Sequence, residues 1–194
     1  LIWEEEFDGG MDAQWATGWV YPTGLKADHS HVSELQAYVK GANTRIVDSV
    51  MTVQTKKEKV SAAAWHPTKG MVMQDFAYTS DVWHTKTALP KNVAVLQAKV
   101  ACSGKAKHAL GLAAMKMEKV LPVLHAAGVK GYAIYTLVWT DKEVVTYVND
   151  QEVARVKNTW SAEDMYLYLR SYLPQNEKAS AGSLSVDWVR VYTR

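Results

Sequence analysis

Apolar and polar residues alternate along most of the chain. The clearest runs are TRIVDSVMTVQTKK (44–57), NVAVLQAKVACS (92–103), EVVTYVNDQEVARV (143–156), MYLYLRSYL (165–173) and SLSVDWVRVYT (183–193). A period of two sends every second side chain to one face of an extended strand, so each run reads as a strand with one face on a core. β-Branched and aromatic residues fill these runs, which suits a pleated, half-buried surface. Turn residues separate them at short intervals. Asn149-Asp150, between TYV and QEV, is a two-residue hairpin signal because both residues tolerate positive φ. Gly104, Gly111, Gly128, Gly131 and Gly182 mark further turns. ALGLAAMKMEKVL (109–121) also scores as a helix, but the β rhythm on both sides makes it strand–turn–strand. NTWSAEDMYL (158–167) has room for one helical turn, with Ser161 as its cap and Asp164 three residues on. The pattern predicts an all-β fold, an antiparallel sandwich of two sheets. No repeat, low-complexity tract or linker divides it, so residues 1–194 read as a single domain.

Charge excludes more than it suggests. Twenty-two basic residues stand against 20 acidic ones, a formal net charge of +2. That balance leaves no electrostatic footprint for nucleic acid, and no apolar run reaches membrane-spanning length. The single cysteine, Cys102, excludes an internal disulfide framework. Cys102 in ACSGK has no patterned His and Asn partner, and neither G-x-S-x-G nor a P-loop occurs.

The skew lies in the aromatics: eight Trp and ten Tyr against two Phe. Amphipathic rings suit half-exposed, sugar-stacking surfaces, although Trp and Tyr also simply favour strands. Trp15, Trp19, Trp65, Trp83 and Trp160 lie near turns or a glycine-rich loop and are the candidate sugar platforms. Burial inside the sandwich is the competing reading for each. His29 and His31 form H-S-H, which on a strand sets both rings on one face, a zinc-capable pair short of a third ligand.

Four blocks in order resemble glycoside hydrolase family 16, the laminarinases, lichenases, agarases and their kin. LIWEEEFDGG (1–10) looks like the family's L-V-W-x-D-E-F-(D/N)-G strand. SELQAYVKGANTRIVDSVMTVQTKKE (33–58) is similar to its N-E-L-Q-Y-Y…G-x-L-x-I-x-A-x-K-E segment. YAIYTLVWTDKEVVTYVNDQEV (132–153) resembles F-H-T-Y-A-I-E-W-T-P-D-K-I-x-F-Y-V-D-G-x-x-V, and LSVDWVRVY (184–192) resembles the closing strand M-x-V-D-Y-V-R-V-Y. YTSDVWHTK (78–86) is similar to Y-T-S-G-R-x-x-T-K. The resemblance spans nearly the whole chain and implies a concanavalin A-like jelly roll, with Trp139, Tyr147, Val186 and Trp188 as core or corner residues.

The family's chemistry is where this chain departs from it. The resemblance implies a retaining mechanism on a strand carrying E-x-D-x-(x)-E, with a nucleophile, a tuning Asp and a general acid/base. Retention needs two carboxyl groups about 5–5.5 Å apart. The best ungapped match sets V-L-P-V-L-H on that motif. The nucleophile position becomes Val120, the Asp becomes Pro122, and the acid/base becomes Leu124 or His125 by the two spacings. Valine has no nucleophilic atom, and His125 has the chemistry of an acid/base but no nucleophile beside it. A rival alignment makes Glu118 the nucleophile and leaves it without a partner acid. The family's W-P-A-x-W reads GLAAM (111–115), the His of F-H-T-Y reads Ala133, the Glu before the third-block Trp reads Val138, and the Arg of S-G-R reads Val82. The expected consequence is a cleft lined by Val120, Pro122 and Val138, with no carboxylate pair.

Two further expectations follow from the resemblance. The family often holds a structural calcium, and here Glu6 and Asp187 match its acidic ligands, with Asp8 as a weaker choice; a local cap or ion pair is the alternative for Asp187. The glycine before the second-block core strand reads Ser49. No other cofactor is expected. The implied function is a non-catalytic domain that binds or recognises a polysaccharide of β-glucan or galactan type, in an extracellular, periplasmic or cell-surface setting. The alternatives are a structural or protein-interaction domain on the same sandwich, and an active O-glycosyl hydrolase drawing acids from elsewhere, such as Asp81 or Glu118.

Overall fold

A computed structural model describes residues 1–20, 26–90, 92–114, 117–123, 129–158, 165–178 and 180–193, with residues 26, 112–114 and 117–123 described by backbone alone. The described chain is built of β1 (Trp3–Glu5), β2 (Trp15–Thr17), β3 (Trp19–Val20), β4 (Lys26–Ala27), β5 (Ser30–His31) and β6 (Gln36–Tyr38). It continues with β7 (Thr44–Val47), β8 (Val50–His66), β9 (Gly70–Ser80), β10 (Val82–Thr85), β11 (Val93–Gly104) and β12 (Lys107–Ala114). The last strands are β13 (Met117–Val123), β14 (Ala133–Trp139), β15 (Glu143–Val148), β16 (Gln151–Lys157), β17 (Met165–Tyr172) and β18 (Gly182–Thr193).

Two sheets pack face to face. The larger runs β16-β15-β14-β11-β18-β8-β9-β6, with β1 added on β18 and β5 and β7 on β8. The smaller has five strands in the order β13-β12-β17-β10-β2. Between them lies the main core: Leu110, Met165, Leu167 and Leu169 of the five-stranded sheet meet Leu96, Leu184, Val186, Val189 and Val191 of the other. Each such side chain contributes about 1.5–3 kcal/mol of hydrophobic stabilisation when fully buried.

The turns follow their sequences. Asn149 and Asp150 take φ of 47° and 65°, closing β15 on β16 as a two-residue turn. Asp48 and Ser49 do the same between β7 and β8, at φ 50° and 60°. The 109–121 segment forms β12 and β13, paired from Ala114↔Met117 to His108↔Val123. The helical turn expected within 158–167 falls largely on residues 159–164, outside the described ones.

The closing strand departs from simple alternation. A register shift against β11 between Lys99 and Val100 inserts Asp187 between Val186 and Trp188, so both Asp187 and Trp188 leave the core face. Trp188 is therefore not a core residue: it lies half-buried on the outside with the Arg190 guanidinium 4.3 Å from its ring centre. A bulge of this kind re-aims side chains that strict alternation would bury. Tyr147 is likewise half-buried, whereas Trp139 and Val186 are core as expected.

Candidate functional site

The outer face of the five-stranded sheet holds the positions that the sequence analysis singled out. Antiparallel register strings residues into rows across it. One row runs Ala16–His84–Tyr168–Gly111–Val120, and the next Val82–Arg170–Ala109–Pro122. Val120 and Pro122 thus occupy neighbouring rows of the same parity, as period two requires. Glu118 belongs to a third row, with Ala113 and Tyr166. The residue types along the first two rows include no carboxylate. Leu124 and His125 lie outside the described residues.

A second aromatic cluster, separate from the main core, covers this face. Trp19, Tyr38, Val82, Ala109 and Tyr168 are buried in it, with Tyr172 packed against them. Trp19 meets Tyr38 edge-on at 5.9 Å and Tyr168 at 5.8 Å. A polar network threads the cluster. Arg170 Nη1 donates to Glu34 Oε1 at 2.5 Å and to the Tyr38 hydroxyl at 3.0 Å. Gln36 Nε2 donates to Glu34 Oε2 at 2.6 Å, and the Leu173 amide donates to Gln36 Oε1 at 2.7 Å. Burial pushes the Tyr38 phenol far above its ordinary range, with the Arg170 charge opposing. Below it, His84 Nδ1 lies 2.8 Å from the Gly18 carbonyl and donates to it. The indole Nε1 of Trp19 is buried and donates to no atom among the described residues. Trp19, Tyr38 and Tyr168 are closed in by one another, at 8%, 6% and 2% exposure, and the half-buried ring of the cluster is Tyr172, stacked on the Arg170 guanidinium.

Sequence reasoning passed over Glu34, Gln36, Tyr38 and Arg170. The first three carried a signal: polar residues spaced by two in E-L-Q-A-Y share one strand face.

The face continues onto a hairpin arm. β8 and β9 extend together to the turn at 67–69, and β5 lies parallel along β8. His31 pairs with Trp65, which pairs with Met71, and Ala63 pairs with Met73. On this side Trp65, Met71 and Met73 are 44%, 50% and 69% exposed. The opposite side of the arm closes a small core of Ala37, Ala64 and Phe76. The rings of His29 and His31 sit 5.3 Å apart.

The five candidate platforms separate clearly. Trp15 is wholly buried in the main core, its Nε1 donating to Glu5 Oε2 at 3.0 Å, so it offers no surface for stacking. Trp83 faces the same core in the row of Leu169 and Leu110, and its Nε1 donates to Thr44 at 2.8 Å. Both readings as platforms are corrected: each Trp lies on a short strand whose inner face is the sandwich interior. Trp19 is buried in the outer-face cluster at 8% exposure, so it is corrected as a platform too, and Trp65 stands on the arm at 44%. Trp160 lies outside the described residues. Val138 is also corrected as a lining residue. It sits on β14 of the larger sheet, between Val95 and Val145, and Ala133 of the same strand is core.

Asp81, an alternative acid, is fully buried and structural. It accepts the Gly41 and Asn43 amides at 2.8 Å each and the Thr44 hydroxyl at 2.7 Å. Burial raises its carboxyl above the ordinary range, and these hydrogen bonds oppose the rise.

The proposed calcium ligands are committed elsewhere. Glu6 Oε1 accepts from Arg190 Nη2 at 2.9 Å, Asp187 Oδ2 pairs with Lys99 at 2.6 Å, and Asp8 accepts the Ser49 hydroxyl at 2.6 Å. Among the described residues no group of three or more His, Cys, Asp or Glu is placed to hold a metal ion, the H-S-H pair included. Calcium takes six to eight oxygen ligands; Glu6 and Asp187 are each paired with a cation and Asp8 with a hydroxyl, and the three do not gather into such a site.

The architecture is a glycoside hydrolase family 16-like jelly roll. The κ-carrageenase of Pseudoalteromonas carrageenovora, in complex with an oligotetrasaccharide of κ-carrageenan, matches with a TM-score of 0.71 at 13% identity, covering 98% of this chain and 92% of its own. The laminarinase catalytic domain of Thermotoga maritima matches at 0.67 and 17% identity, covering 100% and 98%. The endo-β-1,3-glucanase of Pyrococcus furiosus matches at 0.68 and 19% identity, covering 100% and 94%. At these identities the likeness is one of fold. No protein-family model and no curated protein sequence matches the chain. Among the described residues no helix is long and apolar enough to cross a membrane.

Proposed function

We propose that this chain is a non-hydrolytic polysaccharide-binding domain, working outside the cytoplasm and taking a β-glucan or galactan on the outer face of its five-stranded sheet. The reading rests on one observation above all. The rows through Val120 and Pro122, where the resemblance sets the reaction, carry no carboxylate. The retaining reaction requires two. Glu118, one row away, is a single acid, and Asp81 is held by the 41–44 loop. The half-buried Tyr172 ring with the Arg170 guanidinium stacked on it remains, a pair that binds without reacting. The fold neighbours that act on polysaccharides supply the ligand class.

Affinity electrophoresis in laminarin, lichenan and κ-carrageenan gels, with a reducing-sugar assay on the same polymers, tests this. Retarded migration without new reducing ends is the expected result. Turnover of any polymer overturns the non-hydrolytic reading, and turnover surviving Glu118→Gln removes Glu118 as its nucleophile. Unretarded migration on every polymer favours the second reading, a protein-interaction domain, which draws on the exposed Met71 and Met73.

A further inference from the structure

The exposed side of the β8–β9 arm and the outer face of the five-stranded sheet are joined by a train of rings. Trp65 stands 6.2 Å from His29, His29 is 5.3 Å from His31, and His31 meets Trp19 edge-on at 5.6 Å. Trp19 then leads to Tyr168 at 5.8 Å and to the guanidinium of Arg170 at 4.9 Å. The register explains the continuity: His31, Trp65 and Met71 form one row across β5, β8 and β9, so they share a face, and His31 turns that face toward Trp19.

Trp65 is also held in place. β5 flanks β8 on one side and β9 on the other. The His66 Nδ1 accepts the Thr68 and Lys69 amides at 3.2 and 3.3 Å, fixing the arm's tip. Opposite the ring is Gly70, at φ +71, where an added Cβ would sit 4.0 Å from the Trp65 ring. A large ring 44% exposed, on a backbone paired on both sides, loses little freedom when a ligand covers it.

We propose that the row of His31, Trp65 and Met71 extends the outer-face site, with Trp65 as an outlying stacking platform for a polymer chain too long for the sheet face alone. The inference rests on the polysaccharide-binding reading and narrows it: the ligand is an extended chain rather than a short oligosaccharide. Continuity with the outer-face rings favours a glycan over a protein partner for this face.

The test compares wild type, Trp65→Ala and Trp65→Phe by isothermal titration against laminarin and κ-carrageenan, each as polymer and as tetrasaccharide. Expected for Trp65→Ala is a loss of roughly tenfold in polymer affinity, equivalent to about 1.4 kcal/mol. Tetrasaccharide affinity stays unchanged, and Trp65→Phe restores part of the loss. A polymer affinity unmoved by Trp65→Ala overturns the inference while leaving the binding reading intact. Equal losses on polymer and tetrasaccharide overturn it too, by placing Trp65 within the short site. A wild type that binds neither form defeats the underlying reading and this one with it. Sedimentation of Met73→Ser covers the remaining occupant: self-association that this change weakens assigns the face to a second copy of the chain, against the proposal.

Discussion

The guanidinium of Arg170 lies 3.8 Å from the ring centre of Tyr172 while its Nη1 donates to Glu34. One cation thus serves a stacking contact and a largely buried ion pair, with side-chain exposures of 13% and 11%. Removing one partner of such a pair leaves a poorly solvated charge, and the usual cost is about 3–5 kcal/mol. Glu34→Ala and Arg170→Ala are each expected to lower stability by about 3 kcal/mol. The double variant is expected to lose less than the sum. Urea unfolding of the four proteins measures the coupling directly.

Trp15 and Trp65 make a matched contrast. Trp15→Ala opens the main core, and a Trp→Ala change there costs about 3–5 kcal/mol. Trp65→Ala removes a ring from the surface and is expected to leave the melting temperature within a few degrees. Thermal melts of the two variants check this, and a large drop for Trp65→Ala would show that its ring supports the arm.

Asp81, between β9 and β10, ties that junction to residues 41–44 through three hydrogen bonds. Asp81→Ala leaves buried amides without an acceptor, an expected loss of about 2–4 kcal/mol. The pH dependence has a definite sign. Burial raises the folded carboxyl above its unfolded value, so its contribution is fully present below the unfolded value and is lost as pH rises through the folded one. The stability of wild type minus that of Asp81→Asn therefore falls from strongly acid pH toward neutrality. Urea midpoints at several pH values give the curve, and an opposite slope means that the hydrogen bonds outweigh burial.

Cys102 is pushed up to about 12 by burial on β11. The thiolate is the reactive form, so the native protein is expected to resist a thiol reagent at pH 8 and to react within seconds in denaturant. Fast native labelling would place the sulfur at the surface.

How much of this was legible in the chain depended on whether strict alternation held. Where it did, the strands, the Asn149-Asp150 turn and the β12–β13 pair follow from the sequence. At Asp187 one inserted residue moved two side chains to the outside, and no local pattern marks such an insertion. The tryptophans failed differently. Trp15 and Trp83 lie on strands too short for a period to declare itself, so turn proximity made core residues resemble rim residues. Val138 was assigned to the wrong sheet because alternation gives the face of a strand but not the sheet it joins. The candidate site was legible as missing carboxylates. Its positive content, Glu34 with Arg170, joins residues far apart in sequence that only the folded sheet brings together.

Among the described residues β13 pairs with β12 alone, and so it is the rim of its sheet. A rim strand invites a foreign strand to add itself by hydrogen bonding. Proline has no amide hydrogen, and within a ladder it is tolerated where its nitrogen faces away from the partner strand. Pro122, the next-to-last residue of β13, is one position of this rim with no donor to give. A residue conspicuous as the absence of a catalytic group has a second consequence here: a strand added at this position would find one amide fewer to pair with.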